Sequence, residues 1–430
     1  MSTALSIAVL FYRIGPYHFA RLRAAATALR VTAIEYASRD TVYDWDEVRG
    51  AEGFERVTLF PGGSLESRTA SEIAAGTGRV LEQVNPQVVA IPGWADRASL
   101  SALRWCVRRG VPAVVMSETT AWDEARRQHK EWVKRQIVSA FSAGLVGGQP
   151  HRDYLASLGI PPERVFLGYD VVDGRYFEDR VAEIRSAKSE VRSKCGLPER
   201  YFLASARFVE KKNLARLLQA YARYREKAEM LKGESTPPQP SPQSGEGVAP
   251  ISVLRPPSSA PWSLVLLGDG PLRDALNSQL STLNLEGHVL LPGFKQYPEL
   301  PSYYGLASAF IHASTTEPWG LVVNEAMASG LPVLVSNRCG CAQDLVQDGV
   351  NGFTFDPYNV QELAQLMFKV SAFQPFSLSA FGLASQRIIG EWGPERFASG
   401  LRQAVETVLR VPRPEATLFG RFLLRALALR

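Results

Sequence analysis

Short apolar runs rich in β-branched residues recur along the chain, and amphipathic stretches fill the intervals. Residues 7–12, 31–36, 57–60, 88–92, 113–116, 144–146 and 165–168 carry too few polar positions for half-exposed strands, so they predict strands buried on both faces. Between them, residues 18–29 and 123–141 have helical periodicity, the second with Arg126, Arg127, Lys130, Lys134 and Arg135 on its polar side. Buried strands alternating with helices predict an α/β fold, a parallel sheet wound with right-handed crossovers.

The alternation breaks at a polar, helix-prone connector over 179–198 and then restarts. Residues 201–206, 264–267, 289–291, 309–312, 332–335 and 353–355 predict a second set of buried strands. The economical reading is two doubly wound Rossmann-like domains, residues 1–178 and 198–380, with no short-period repeat. Residues 231–262 hold eight prolines among Ser and Gly and predict a disordered insertion that expands one loop of the second domain. Over 381–410 a helical pattern is interrupted by Gly390, Trp392, Gly393 and Pro394, which predicts a kinked pair of crossover helices. Pro412 and Pro414 then introduce a basic, Leu-rich tail over 411–430.

Composition narrows the picture moderately. A chain of 430 residues, 46% hydrophobic, can bury more than one core. The net charge of +5 suits phosphate-bearing ligands or an anionic membrane surface and does not call for nucleic acid. Four cysteines, Cys106, Cys195, Cys339 and Cys341, are too few and too unevenly spaced for a disulfide framework or a zinc site, so reduced thiols in a cytoplasmic protein are expected. The first apolar run follows no basic leader, and no run reaches the length of a membrane span.

Candidate chemistry concentrates in the second half. The segment S-T-T-E-P-W-G-L-V-V-N-E-A-M-A-S-G, from Ser314 to Gly330, places Glu317 in the loop leaving one predicted strand and Glu325 in the helix that follows. Ligands of open α/β sheets bind at such strand ends. Two carboxylates bracketing a helix start, with the N–H groups of Gly320, Leu321 and Val322 pointing outward, match an anion flanked by hydroxyls, the layout of a nucleoside diphosphate sugar. In A-R-F-V-E-K-K-N, Arg207 and Lys212 stand where two cations can neutralise a diphosphate leaving group without a metal, although Lys211 competes with its neighbour for that role. Gly268-Asp269-Gly270-Pro271 marks a tight turn after a strand, and Arg13-Ile14-Gly15-Pro16-Tyr17-His18 lets backbone approach a ligand at the first helix.

The Glu317 to Glu325 spacing resembles the E-x7-E region of family 4 glycosyltransferases, the retaining group with the GT-B fold typified by sucrose and lipopolysaccharide transferases. The resemblance covers both predicted domains and implies that they face each other across a cleft, with the C-terminal helix returning to the first. It implies that Glu317 contacts donor sugar hydroxyls near the anomeric carbon, that Glu325 holds the ribose, and that Arg207 and Lys212 clamp the diphosphate. It further implies that Gly268, Gly270 and Gly15 lie against the donor and His18 near the acceptor. Where family members often carry a histidine after the fifth strand, this chain reads Met116-Ser117-Glu118-Thr119-Thr120, which leaves Glu118 as the available polar group.

The reaction implied is transfer from a UDP-, GDP- or ADP-sugar to a hydroxyl of a carbohydrate or lipid-linked acceptor, with no cofactor or metal, in surface polysaccharide, exopolysaccharide or glycolipid synthesis. A sugar-nucleotide epimerase, a phosphorylase or a non-catalytic sugar-nucleotide-binding protein is the alternative. A dinucleotide oxidoreductase is disfavoured because no G-x-G-x-x-G follows the first strand. Asp44-Trp45-Asp46 has the form of a metal-binding D-x-D but reads as a loop or helix start. The basic helix and the tail together raise the expectation of peripheral attachment to the inner membrane face.

Overall fold

Burial on both faces is what the apolar runs require, and all of them become strands of two parallel sheets. The computed structural model of the protein describes residues 5–38, 48, 50–233, 260–414 and 417–429. In the first half the order is β1 (Ser6–Phe11), α1 (Pro16–Ala25), β2 (Arg30–Ala37), β3 (Glu55–Phe60), α2 (Ala70–Val84), β4 (Val88–Pro92), α3 (Arg97–Arg109), β5 (Ala113–Ser117), α4 (Gln128–Val138), β6 (Ala143–Val146), α5 (Gln149–Ser157) and β7 (Val165–Leu167). Helices α6 (Gly174–Ser186) and α7 (Lys188–Cys195) form the connector.

The second half continues with β8 (Tyr201–Ser205), α8 (Leu214–Gly233), β9 (Ser263–Leu267), α9 (Arg273–Thr282), β10 (Val289–Gly293), α10 (Leu300–Leu306), β11 (Ala309–His312), α11 (Leu321–Ala328), β12 (Val333–Ser336), α12 (Ala342–Leu345) and β13 (Gly352–Phe355). Four helices close the chain: α13 (Val360–Ser371), α14 (Pro375–Ile389), α15 (Pro394–Arg410) and α16 (Leu418–Ala428).

The seven-stranded sheet runs β3-β2-β1-β4-β5-β6-β7 and the six-stranded sheet β10-β9-β8-β11-β12-β13. In both, the order reverses beside the first strand, between β1 and β4 and between β8 and β11. Loops leaving adjacent strands there turn to opposite faces and open a crevice. This arrangement makes neighbours of the loops after β8 and β11, which lie about a hundred residues apart in sequence.

Helix α15 carries the chain back onto the first domain. Its apolar stripe, Phe397, Leu401, Ala404, Val405 and Val408, is buried, and the helix packs against α1, β6 and β7. Gly400 lets it come close: a Cβ there would lie 2.5 Å from the carbonyl oxygen of Leu167. The break before α15 places Trp392 against Trp319, with ring centroids 5.1 Å apart.

Three expectations need correction or bounding. The insertion is narrower than 231–262, because α8 continues to Gly233 and Trp262 is buried, its backbone N–H donating to the Tyr224 hydroxyl (2.9 Å) and its ring packed on Phe202. Residues 234–259, like Asp44-Trp45-Asp46, lie outside the described residues. The basic helix begins at Gln128 and not at Asp123, since Asp123 accepts from the Thr120 N–H and Arg126 folds back on the Thr120 carbonyl and on Asp123, closing a loop. Arg126 and Lys134 are therefore paired with Asp123, Glu124 and Glu131, and only Arg127, Lys130 and Arg135 of that set are exposed.

Overpacking at the α15 contact should be costly, so Gly400→Val is expected to lower unfolding free energy by roughly 2 kcal/mol in urea titrations. Gly78 sits inside α2 with open space around an added Cβ. Gly78→Ala should therefore raise stability by about 0.5–1 kcal/mol in the same assay.

Candidate active site

Between the two switch points lies a cleft of about 530 Å³. Its second-domain wall is built by the loop after β8 (Ala206, Arg207, Lys211, Lys212), the turn after β9 (Gly268, Asp269) and the loop after β11 with the start of α11 (Glu317, Trp319, Gly320, Leu321, Val322, Glu325). Gly15, Tyr17, His18, Arg21 and Glu118 line the facing wall. Of the residues given a site role from the sequence, all but one thus reach a single space. Gly270 is the exception: it is absent from the cleft wall, and a Cβ on it would meet the Phe208 backbone at 2.8 Å.

Glu317 is held from several sides. The Lys212 ammonium donates to Oε2, the Ser314 hydroxyl donates to the same oxygen at 3.1 Å, and His312 Nε2 stands 3.4 Å away. The loop itself is pinned to the C-G-C segment, where the Gly340 N–H donates to the Glu317 carbonyl at 3.0 Å. No side chain fits at Gly340, since a Cβ would lie 1.8 Å from the Pro318 oxygen. Burial alone would raise the Glu317 carboxyl, but the His312 hydrogen bond and the Lys212 charge outweigh it and hold the group well below the usual carboxylate range. Glu317 is therefore an anion whose charge is already matched, and it makes a poor base.

Glu325, one turn into α11, is in the opposite state. It is fully buried, its Oε2 accepts from the Tyr304 hydroxyl at 2.6 Å, and its Oε1 accepts from Tyr17, which reaches over from α1 of the first domain. Burial without a cation raises its carboxyl to about 7, against the partial opposition of the two hydroxyls. Between the carboxylates, Gly320 takes a left-handed conformation (φ 104°) at the helix cap and turns the first N–H groups of α11 toward the cleft.

The turn Gly268 to Gly270 is shaped by packing. Gly268 has φ 134°, and a Cβ on it would lie 1.9 Å from the Ala206 carbonyl oxygen, so only a glycine lets the β8 and β9 loops approach this closely here. Both Lys211 and Lys212 face the cleft, so the two do not exclude one another; Lys212 is the one joined to Glu317. Gly15 differs from Gly268: its backbone is extended, and a Cβ would meet nothing nearer than His18 Nδ1 at 3.8 Å, so what its missing side chain preserves is space in the cleft.

On the first-domain wall, His18 accepts the Gly15 N–H on Nδ1 (3.2 Å) and packs on Phe11, and burial lowers it to about 3, so it is a neutral imidazole. The Glu118 side chain is exposed to the cleft yet ringed by protein. Desolvation raises its carboxyl, opposed by the Arg21 guanidinium. Asp170 is fully buried, lies 3.9 Å from Arg21 and is pushed well above the ordinary range by burial and by Glu118. Arg21 also donates to the Val171 carbonyl at 3.2 and 3.1 Å.

Several of these residues escape a motif reading. His312 and Ser314 end a strand and open the quoted segment, and Tyr17 lies inside the Gly15 to His18 run, so position alone points to them. Tyr304, Arg21 and Asp170 carry no local signal. Nor does His151, whose Nδ1 accepts the Gly148 N–H (3.2 Å) so that Nε2 donates across the cleft floor to the Pro318 carbonyl at 2.8 Å. Among the described residues no three His, Cys, Asp or Glu side chains are grouped to hold a metal. All four cysteines are free thiols.

Comparison with known proteins gives this geometry a setting. Residues 248–374 match the family described as glycosyl transferases group 1. The poly(glycerol-phosphate) alpha-glucosyltransferase of Bacillus subtilis is 31% identical over 147 residues, covering 33% of this chain and 21% of that protein. The alpha-D-kanosaminyltransferase of Streptomyces kanamyceticus is 25% identical over 267 residues, 59% of this chain and 60% of that protein, so the chain spans under two thirds of either relative. Among solved structures, Anabaena Alr3699/HepE in complex with UDP and glucose superposes with a TM-score of 0.66 at 18% identity, over 95% of this chain and all of that one.

The buried neutral form of Glu325 favours the folded state. That contribution is complete below its unfolded value near 4.5 and is lost as pH rises through about 7. Glu325→Gln removes the titration, so between about pH 5 and pH 8 the urea midpoint of the variant should gain on that of the parent protein. A gap independent of pH would mean that Glu325 ionises normally.

Proposed function

We propose, from the premise that the chain belongs to the group 1 glycosyl transferases and has the GT-B architecture, that it is a retaining, metal-independent transferase using a nucleoside diphosphate sugar. One observation carries this reading: the cations after β8, the carboxylate after β11 and the first N–H groups of α11 converge on one edge of the cleft, opposite Gly15. The diphosphate would lie against Arg207, Lys212 and α11, where fixed positive charge meets the negative charge that develops on the leaving group. The complex of HepE with UDP and glucose supports a nucleotide-sugar donor.

Glu317, kept ionised by Lys212 and His312, is suited to stabilise positive charge at the anomeric carbon and poorly suited to take a proton. In a same-face reaction the departing phosphate oxygen takes the acceptor proton while the glycosidic C–O bond breaks and the new one forms. Glu325 would receive the ribose hydroxyls once the Tyr17 hydroxyl yields its place. Glu118, with its raised carboxyl beside Asp170 and Arg21, stands where it can accept or donate a hydrogen bond to the acceptor, next to His18. The Bacillus relative, named for a poly(glycerol-phosphate) acceptor, supports a carbohydrate or lipid-linked polymer acceptor in surface polysaccharide or glycolipid synthesis. The free cysteines fit a cytoplasmic location.

Lys212→Ala and Glu317→Ala should each lower turnover by about 10²-fold in folded protein, because both groups act on charge that develops in the transition state. Near-parental turnover in either variant would overturn the site. Thermal shifts against UDP-, GDP- and ADP-sugars identify the base, and activity should survive chelation by EDTA. Glu118→Gln keeps the hydrogen-bonding shape but loses the acid. It should reduce kcat/KM for the acceptor while leaving the Kd of the donor unchanged; a weakened donor Kd would move Glu118 to the donor side.

A further inference from the structure

Helix α16 docks on α3 and α4 of the first domain with Gly420, Leu424 and Ala428 buried, one residue per turn along one face. A helix seated in this way ordinarily shows water a polar face. This one does not. The residues opposite the seat are Leu418 (86% exposed), Phe422 (66%) and Leu429 (44%), at angles within one third of a turn of each other. Phe419 (45% exposed) continues the surface onto α4, where its ring packs on Trp132 (49% exposed) at a centroid distance of 5.1 Å.

Charge surrounds this apolar strip with one sign. Arg421 and Arg425 of α16 and Arg127, Lys130 and Arg135 at α4 are exposed, and α16 contains no acidic residue. The carboxylates of α4 and of the loop before it are already matched: Glu131 and Glu124 pair with Lys134 and Arg126. Among the described residues no helix is long and apolar enough to cross a membrane, so the strip is a surface feature and not part of a span.

We propose that the α4–α16 face docks on an anionic lipid bilayer, with Leu418, Phe422 and Trp132 at the headgroup boundary and the five cations among the lipid phosphates. Apolar side chains alone would suit any greasy partner, whereas a ring of exposed cations around them matches a sheet of anionic headgroups. A second copy of this chain fits poorly, because like-charged rings would face each other. The inference stands on this surface alone and does not depend on the chemistry of the cleft.

Vesicle flotation of the full chain tests it. The protein should float with phosphatidylcholine vesicles that contain phosphatidylglycerol, much less with phosphatidylcholine alone, and progressively less as salt rises. Leu418→Ser combined with Phe422→Ser should weaken partitioning by about tenfold or more, and Arg421→Ser with Arg425→Ser by a similar factor. Both double variants alter exposed side chains outside the cleft, so each should keep the parental melting temperature and UDP-induced thermal shift, which separates loss of docking from loss of fold. Equal partitioning of parent and variants would overturn the proposal, as would absence of flotation. So would a dimer in sedimentation equilibrium that the same substitutions dissociate, since the face would then belong to a second copy.

Discussion

A carboxylate nine-tenths buried must be given positive charge, and the pairing of Glu317 with Lys212 meets that requirement. Lys212 comes from the loop after β8 and Glu317 from the loop after β11, so the pair forms only if those strands are neighbours in the sheet. His312 and Ser314 take up what the ammonium leaves, and the Gly340 N–H holds the loop carbonyl. Removal of either partner would strand the other charge, which ties the local geometry of the site to the order of the second sheet.

The same loop joins the domains. Pro318 accepts from His151 of the first domain, and Trp319 packs between His151 and Trp392, at the break that redirects the chain into α15. Asp344 accepts the Gln149 N–H at the start of α5, and Trp122 donates to the Arg338 carbonyl. The floor of the cleft is thus built from both domains and stays connected through several hydrogen bonds and a ring contact. On the open side, Tyr17 of the first domain touches Glu325. A ligand that competes for Glu325 would alter how the domains meet while leaving the floor in place.

The two carboxylates of α11 and its loop illustrate how environment divides like groups into different roles. Glu317 has a cation and stays ionised; Glu325 has two hydroxyls and no cation, and titrates near neutrality. The Glu118 and Asp170 pair adds a third case, in which two acids crowd a single guanidinium and both resist ionisation. The cleft therefore presents a fixed anion beside fixed cations on the second-domain wall and, on the first-domain wall, the Glu118 carboxyl whose ionisation burial disfavours.

The strands, the break between the two sets and the Glu317 to Glu325 segment were legible in the sequence alone, because each depends on short-range pattern: continuous apolar runs for buried strands, loop residues at their ends and a helix start between two carboxylates. So was the amphipathic tail. The long-range pairings were not. That Lys212 and not Lys211 meets Glu317, that Tyr17 caps Glu325, and that Asp170 stands behind Glu118 follow from strand order and domain closure, which no local window encodes. The sequence predicted a helix from residue 123, and the Asp123 to Arg126 pairing overrode the periodicity. Trp262 shows the converse, a residue assigned to the insertion on composition that the core of the second domain claims because an indole of that size finds its burial against Phe202 while its backbone N–H bonds the Tyr224 hydroxyl. Which face of α16 turns outward was likewise settled only when Gly420, Leu424 and Ala428 met α3, since a helix with apolar residues on both sides has no preferred seat until something packs against it.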